Sequence, residues 1–207
     1  MKKLFIASAM MLTSLFSNAG TIGVDVDHVY NKAAYVGGVA HFLRWNDTID
    51  GINYGLSNRT VRYGSNPNSS VASSKLRSSD GWGMWNNFEG SVGKTYNIAG
   101  SFDLSPYVGL GYDDGQNGAV DKAYWYGRVG VATGVQIGPG RWNTAITTRV
   151  NHEAGHLEHT MWLNNYSIPL NNQISINIRA SRGWQNALGI VPKTYEDYTG
   201  IGITYKF

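Results

Sequence analysis

Residues 124–137, YWYGRVGVATGVQI, decide the fold. Alternate positions are apolar, and the positions between them are polar, small or tyrosine. The apolar set is Trp125, Val129, Val131, Val135 and Ile137. A period of two is that of a β-strand, because successive side chains point to opposite faces. The following Gly138-Pro139-Gly140-Arg141 predicts a tight turn, because glycine adopts positive φ and proline cannot donate to a ladder.

The same alternation runs through the rest of the chain and predicts ten antiparallel strands. Counted back from the C-terminus, their bounds are 196–207, 173–182, 160–170, 141–151, 124–138, 106–113, 84–102, 48–63, 34–46 and 21–30. Short turns are predicted at Asn46-Asp47, Ser105-Pro106, 138–141 and Asn171-Asn172, and longer loops at 64–80, 113–122 and 183–194. An even strand number, with short turns at one end and long loops at the other, is typical of bacterial β-barrels. Eight strands remain an alternative if the stretch before residue 48 is a plug or a clamp.

A soluble β-sandwich also alternates, so the period alone does not decide the class. The polar faces, however, contain arginine, aspartate and glycine, where a sandwich core needs large apolar groups. Aromatic residues lie at predicted strand ends: Trp45, Phe102, Trp142 and Phe207 beside short turns, and Tyr30, Tyr112, Trp125 and Trp162 beside long loops. At about 3.3 Å per residue and a tilt near 45°, the strand from Trp125 to Ile137 spans roughly 28 Å along a membrane normal. The sequence therefore predicts an all-β, up-and-down transmembrane barrel with two aromatic girdles.

The composition and the N-terminus limit the remaining classes. The 207 residues contain no cysteine, which excludes disulfide scaffolds and cysteine-ligated zinc. Lys2 and Lys3, an apolar run over 4–16 and Ser17-Asn18-Ala19 predict a signal peptide, 1–19, cut after Ala19 and followed by a barrel domain, 20–207. Without those lysines, 15 basic residues oppose 14 acidic ones, so no nucleic-acid partner is indicated.

The leader, the run LSPYVGLGY at 104–112 and the terminal GITYKF at 202–207 resemble small outer-membrane β-barrel proteins of Gram-negative bacteria. The resemblance covers 20–207 as a pattern and indicates no particular member. It implies an integral outer-membrane location, with outer-membrane lipid and lipopolysaccharide as partners. It also implies that Tyr205 and Phe207 belong to the signal read by the barrel-assembly machinery.

One residue departs from the pattern. Lys94 falls on the parity assigned to lipid, between Val92 and Tyr96. A lysine at that position predicts that the strand is bulged, shorter than drawn, or shifted in register.

The inward parity carries charges of both signs: Asp25, Asp27, Arg59, Glu89, Arg128, Arg149, Arg179 and Lys206. A barrel of eight to ten strands is filled mainly by its own side chains, and unpaired buried charges are costly. We therefore expect a salt-bridge network that occludes the bore. An ion-conducting constriction is the alternative.

One motif suggests chemistry. His152-Glu153-Ala154-Gly155-His156 matches H-E-x-x-H, in which two histidines on one helix face bind zinc and the glutamate is the general base. The third ligand would have to be His159 or a residue of another loop. Gly155 disfavours a helix, and only about nine residues separate the two predicted strands on either side of the motif. The residues spaced as a helical stripe are Val150, Ala154, Leu157 and Met161.

The leading interpretation is a non-enzymatic barrel, structural or interacting with an extracellular ligand through its loops, with no cofactor. The alternatives are a narrow porin-like channel, and a membrane-embedded hydrolase using Glu153 or a metal-binding loop using His152, His156 and His159. His28 and His41 are interpreted as girdle or lumen residues rather than ligands. The loop 66–80, with Lys75 and Arg77, is interpreted as external and able to contact lipopolysaccharide phosphates.

Overall fold

The structure, a computed structural model, describes residues 20–31, 36–63, 83–117, 120–151, 156–185 and 194–207. Its strands are β1 (Thr21–Asn31), β2 (Val36–Ile49), β3 (Ile52–Tyr63), β4 (Gly83–Lys94), β5 (Tyr96–Ala99), β6 (Phe102–Asn117), β7 (Val120–Ile137), β8 (Gly140–Asn151), β9 (His156–Pro169), β10 (Ile174–Gln185) and β11 (Thr194–Lys206). None of the described residues belongs to a helix that is long and apolar enough to cross a membrane.

The strands form one closed antiparallel ring. Apart from β4 and β5, neighbours along the chain pair with each other, and β1 pairs with β11 along its whole length, from Thr21 opposite Lys206 to Asn31 opposite Glu196. Both β4 and β5 pair with β6, so they occupy one position in the wall, and the ring has ten positions. The predicted ten-stranded up-and-down barrel is confirmed, and the eight-stranded alternative is wrong because β1 and β2 are wall strands.

Alternation separates the two faces of the wall. In β7, Trp125 is 59% exposed on the outside, whereas the next residue, Tyr126, is 1% exposed and points inward. The same alternation places apolar side chains on the outside of the other wall strands, among them Val24, Leu43, Leu56, Phe88, Leu110, Ile146, Ile178 and Ile201. An apolar exterior around a polar interior is the arrangement of a barrel that spans a membrane.

The short connections differ from the predicted turns at two places. Asn46-Asp47 lies inside β2, and the chain reverses at Asp50-Gly51, where both residues have positive φ (52° and 76°). This geometry suits the right-handed twist of a hairpin. Ser105-Pro106 lies inside β6, and the turn is at Gly100-Ser101.

Pro106 is tolerated in β6 because of the interruption opposite it. The β4–β6 ladder ends with the pair Gly93–Tyr107, and Thr95 interrupts the strand before β5 begins. A proline in a sheet is confined to such edges and bulges. The same break accounts for Lys94: its strand ends there, and its Nζ lies 5.8 Å from the ring centre of Tyr96.

At the opposite end of the barrel the strands are longer than expected. The predicted loop 113–122 is mostly strand, because β6 runs to Asn117 and β7 begins at Val120. The loop 183–194 is shortened in the same way by β10 and β11. The predicted loop 64–80 and leader 1–19 lie outside the described residues. The turn at Asn171-Asn172 is confirmed.

The β1–β11 seam yields a test of closure. Gly202 pairs with Asp25, and a Cβ at Gly202 would overlap the Asp25 carboxylate and lie 2.7 Å from the Val24 carbonyl oxygen. We expect Gly202→Val to destabilise the barrel by about 1–3 kcal/mol, as overpacking does. The measurement is urea unfolding in detergent, followed by heat-modifiable migration on gels. The control is Gly127→Val, since the nearest atom to a Cβ there is 3.9 Å away; equal effects would contradict the prediction.

Candidate functional site in the barrel lumen

The lumen beside the seam is organised around two buried carboxylates. Asp25 accepts two hydrogen bonds from Arg44, from Nε to Oδ2 at 2.7 Å and from Nη2 to Oδ1 at 2.9 Å. Arg179 Nη1 lies 3.1 Å from Asp25 Oδ2 and 3.4 Å from Asp27 Oδ2. The Arg179 guanidinium also stacks over the Phe42 ring at 4.3 Å. Two arginines thus neutralise two aspartates that are 0% exposed.

A second cluster joins β4 to β7. Glu89 forms an ion pair with Arg128 and accepts a hydrogen bond from Tyr126 Oη at 2.9 Å. Asn87 donates to the same phenol oxygen at 2.5 Å, and Arg128 Nε donates to Thr147 at 2.6 Å. In the ring β6 lies between β4 and β7, so this cluster bridges across one strand.

A third cluster joins β6 to β8. Arg149 Nη1 lies 2.9 Å from Asp113 Oδ2, with both side chains less than 10% exposed, and its guanidinium lies 4.3 Å from the Tyr126 ring centre. His159 is buried nearby on β9, facing inward, and its Nε2 has no hydrogen-bond partner among the described residues. Since Tyr126 takes part in both clusters, the second and third form one network.

A fourth cluster joins β3 to β11. The hydroxyls of Tyr63 and Tyr198 donate to the two carboxylate oxygens of Glu196, at 2.8 and 2.6 Å. Arg59 Nη1 donates to Tyr198 Oη at 3.4 Å, and its guanidinium also faces the Tyr198 ring at 5.7 Å. Because β3 and β11 are three positions apart, these contacts cross part of the bore.

Apolar side chains fill the space among these clusters. We call this set the luminal core: Val29, Ala40, Val61, Met161 and Tyr198, all 5% exposed or less, with Phe42, Tyr63 and Leu163 packed against them. Val61 lies on β3 and Met161 on β9, which are five positions apart in a ring of ten. The luminal core therefore unites side chains from opposite walls.

Below the luminal core, a cavity of ≈ 350 Å³ opens toward the end of the barrel that carries the short turns. Its lining is polar and comes from Arg44, Asn46, Gln136, Arg141, Asn143, Asn165, Ser167, Pro169, Ser175, Asn177 and Thr204. Both arginines have a carboxylate partner, Asp25 for Arg44 and Asp103 for Arg141. The cavity is thus a polar vestibule whose guanidinium charges are balanced.

The structure places most of the charges proposed for the lumen on the inward face: Asp25, Asp27, Arg59, Glu89, Arg128, Arg149 and Arg179. Lys206 is exposed instead, because it is the last residue of β11, at the short-turn end of the barrel. Sequence reasoning missed Arg44, Asp113 and Glu196. Alternation would have found Arg44, since it lies between the outward positions Leu43 and Trp45, whereas Asp113 falls at the boundary between the predicted strand 106–113 and the predicted loop 113–122.

The aromatic residues proposed for the girdles differ in their exposure. Tyr30, Phe102, Trp125, Trp142 and Trp162 are exposed on the outer face, and the Tyr112 ring stacks on that of Trp125 at 5.1 Å. At the C-terminus, Tyr205 is exposed on the outer face, and the Phe207 amide donates to the Gly20 carbonyl at 3.1 Å. Trp45 differs: it is 5% exposed, paired between Ile22 and Leu56 on the adjacent strands.

The H-E-x-x-H motif is divided between two regions. Residues 152–155, including His152 and Glu153, lie outside the described residues, and His156 begins β9. The helical stripe proposed through this segment is wrong, because Val150 and Leu157 pair across the β8–β9 ladder. His159 points into the lumen from β9. Among the described residues, no group of three or more potential metal ligands occurs.

Closed backbone pairing, an apolar exterior and a charged interior define the class as a transmembrane β-barrel of the outer-membrane type. No protein-family profile matches the sequence, and no curated protein matches it.

Comparison with solved structures finds similar barrels at low identity. Neisserial surface protein A is 11% identical, with 91% of this chain and 97% of that chain covered and a TM-score of 0.43. The outer membrane protease OmpT of Escherichia coli is 10% identical (91% and 95% covered, TM-score 0.44). An anion-selective porin of Comamonas acidovorans is 8% identical (91% and 98% covered, TM-score 0.41). At these values the functions of those proteins do not transfer to this chain.

Two ion pairs of the same chemistry should contribute differently to stability, because only one of them is buried. We expect Arg149→Leu to cost about 3–5 kcal/mol, because it leaves Asp113 charged and buried. The exposed pair Arg182–Asp197, at 2.6 Å on the outer face, is the control, and Arg182→Leu should lower stability far less, because the pair is exposed.

Denaturant unfolding in detergent measures both variants. The double variant Arg149→Leu/Asp113→Leu should recover part of the loss, since no buried charge is then left unpaired. Similar losses for Arg149→Leu and Arg182→Leu would contradict a buried network.

Proposed function

We propose that the protein is a non-enzymatic integral outer-membrane barrel whose bore is closed to ions, and which acts through its loops and outer surface. The observation that carries this proposal is the luminal core, in which Val61 and Met161 from opposite walls belong to one buried cluster. An ion that crosses the barrel at the level of the luminal core would have to shed its hydration water, and the apolar side chains there cannot replace that water. Hydrophobic constrictions block ions by excluding water.

The charges support the same proposal. A selective pore uses rings of like charge or aligned carbonyl groups to replace the hydration of the ion. Here arginines and carboxylates alternate and contact one another: Asp25 with Arg44, and Glu89 with Arg128. Paired charges stabilise the interior, and the described residues form no ring of one sign that would attract a permeating ion.

The proposal also includes the export and assembly route, and the partners, that the sequence predicts. The leader 1–19 would direct export, and Tyr205 and Phe207 would be read by the barrel-assembly machinery. The loop 66–80, with Lys75 and Arg77, would lie outside the cell and contact lipopolysaccharide or an extracellular ligand. The position of 64–82 between β3 and β4, at the end opposite the short turns, supports an external location.

A narrow porin is the second candidate, and the vestibule is the observation that favours it. A polar cavity of ≈ 350 Å³ is large enough to admit a small hydrated solute at one end of the bore. For the porin to operate, the luminal core would have to separate. Conductance therefore distinguishes the two candidates directly.

We expect the purified full-length chain to give no conductance steps above background in planar bilayers. Val61→Ser/Met161→Ser, which makes the luminal core smaller and wettable on both walls, should introduce steps. The control is Leu43→Ser/Val129→Ser, because both side chains are exposed on the outer face; it should remain silent. Gel mobility with and without heating confirms that each variant is folded. Steps from the wild-type protein would overturn the closed bore.

The non-enzymatic part of the proposal has its own test. The wild-type barrel, incubated with Zn²⁺ and casein or phospholipid, should show no hydrolysis beyond that of Glu153→Gln. The pair is matched because the substitution removes only the general base of the proposed H-E-x-x-H motif. Hydrolysis that depends on Glu153, in a variant that still folds, would show that the hydrolase alternative is correct.

A further inference from the structure

The outer face of the barrel is not apolar all the way round. On β1 to β4, toward the end where the longer loops lie, outward positions carry six polar side chains, which we call the polar flank: His28, His41, Asn58, Thr60, Arg62 and Asn86. Strand register makes them neighbours, because His41 is opposite Thr60, which is in turn opposite Asn86. One row further toward the loops, His28 and Arg62 stand on either side of Val39.

The uncharged members of the polar flank bond to other groups of the wall. Thr60 Oγ1 donates to Asn86 Oδ1 at 2.9 Å, and Asn58 Nδ2 donates to the Asn87 carbonyl at 3.2 Å. His28, His41 and Arg62 are exposed, and Arg62 has no ion pair among the described residues. No member of the polar flank is a carboxylate, and the outward Asp114 of β6 borders the flank opposite Asn86. Among the described residues, the flank therefore presents a guanidinium without an ion pair and two imidazoles on a wall that faces lipid.

The wall across the barrel is less polar. Outward positions on β7 and β8 carry large apolar side chains at exposures of 37–59% (Trp125, Val129, Ile146 and Val150), and the polar ones on β8 are the threonines Thr144 and Thr148. An arginine on the lipid face is costly at the bilayer midplane and much less costly near the interface. Arg62 is the penultimate residue of β3, close to the loop end. The polar flank is thus suited to the depth of lipid headgroups rather than of acyl chains.

We propose that the polar flank binds the phosphate group of a lipid headgroup in the leaflet at the loop end of the barrel. A guanidinium presents a planar fork of N–H donors that matches phosphate oxygens, and such charge-assisted bonds are the strong ones. Imidazole N–H groups from His28 and His41 supply further donors beside it. The site does not depend on whether the bore is closed.

Comparison with two other basic residues on the outer face shows why Arg62 is the candidate for binding phosphate. Arg182 is already neutralised by Asp197, with hydrogen bonds of 2.6 and 2.8 Å. Lys94 lies exposed on the same outer face of β4, at the short-turn end, without the histidine neighbours. Lys94 is therefore a matched control: it has the same charge and the same wall, but it is at the opposite end of the barrel.

The experiment measures binding of diphosphorylated lipid A to the full chain folded in uncharged detergent, by native mass spectrometry. Arg62→Gln should weaken binding about fivefold, the effect expected for one basic group at a membrane surface. His28→Gln/His41→Gln should also weaken binding, whereas Lys94→Gln should change it less than twofold. Added salt should weaken wild-type binding, because the attraction is electrostatic.

Dephosphorylated lipid A and inorganic phosphate complete the design. Weak binding of the dephosphorylated lipid, with no competition from millimolar inorganic phosphate, would support a lipid-headgroup site. Equal binding of both lipids, effective competition by inorganic phosphate, or an equal loss in Arg62→Gln and Lys94→Gln would overturn it. Heat-modifiable migration verifies that each variant is folded.

Discussion

Backbone pairing between β1 and β11 is the constraint on which the rest of this protein depends. In lipid no water is available to an open sheet edge, so the amides and carbonyls of the first and last strands must satisfy each other. The seam also shapes the interior. Gly200 and Gly202 lie opposite Asp27 and Asp25, where the absence of a Cβ leaves room for the two carboxylates. Closure and the buried aspartate cluster therefore rest on the same residues.

The interior combines two ways of filling a narrow bore. Arginines and carboxylates neutralise one another in clusters that bridge non-adjacent strands, while the luminal core supplies apolar packing from opposite walls. Pairing offsets much of the cost of burying charge, whereas removing one partner exposes that cost in full. The apolar cluster needs no such balance, and it excludes water from the level at which it lies. Outside, the polar flank shows that the lipid-facing surface is also differentiated around the circumference.

Alternation predicted the faces of the wall well because a strand offers each side chain only two directions. The positions of the turns were harder to predict. Asn-Asp and Ser-Pro are common turn formers, yet Asn46-Asp47 and Ser105-Pro106 lie within strands, since pairing with both neighbours outweighs local preference. Asp50-Gly51 carried the better signal, because a two-residue hairpin requires positive φ at both positions. The interrupted strand was indicated by Lys94 alone, and only the register shows that Pro106 lies on β6 just beyond the point where the β4 ladder stops.

The sequence by itself determined the strand period, which face of each strand is apolar, and the presence of charges of both signs inside, and it favoured ten strands over eight. These properties are local, or nearly so, because they follow from neighbours along one strand. Only the tertiary structure decided which charges meet and which apolar groups join across the bore. Arg149 with Asp113, and Val61 with Met161, are brought together by ring closure and register, and no pattern along a single strand encodes them.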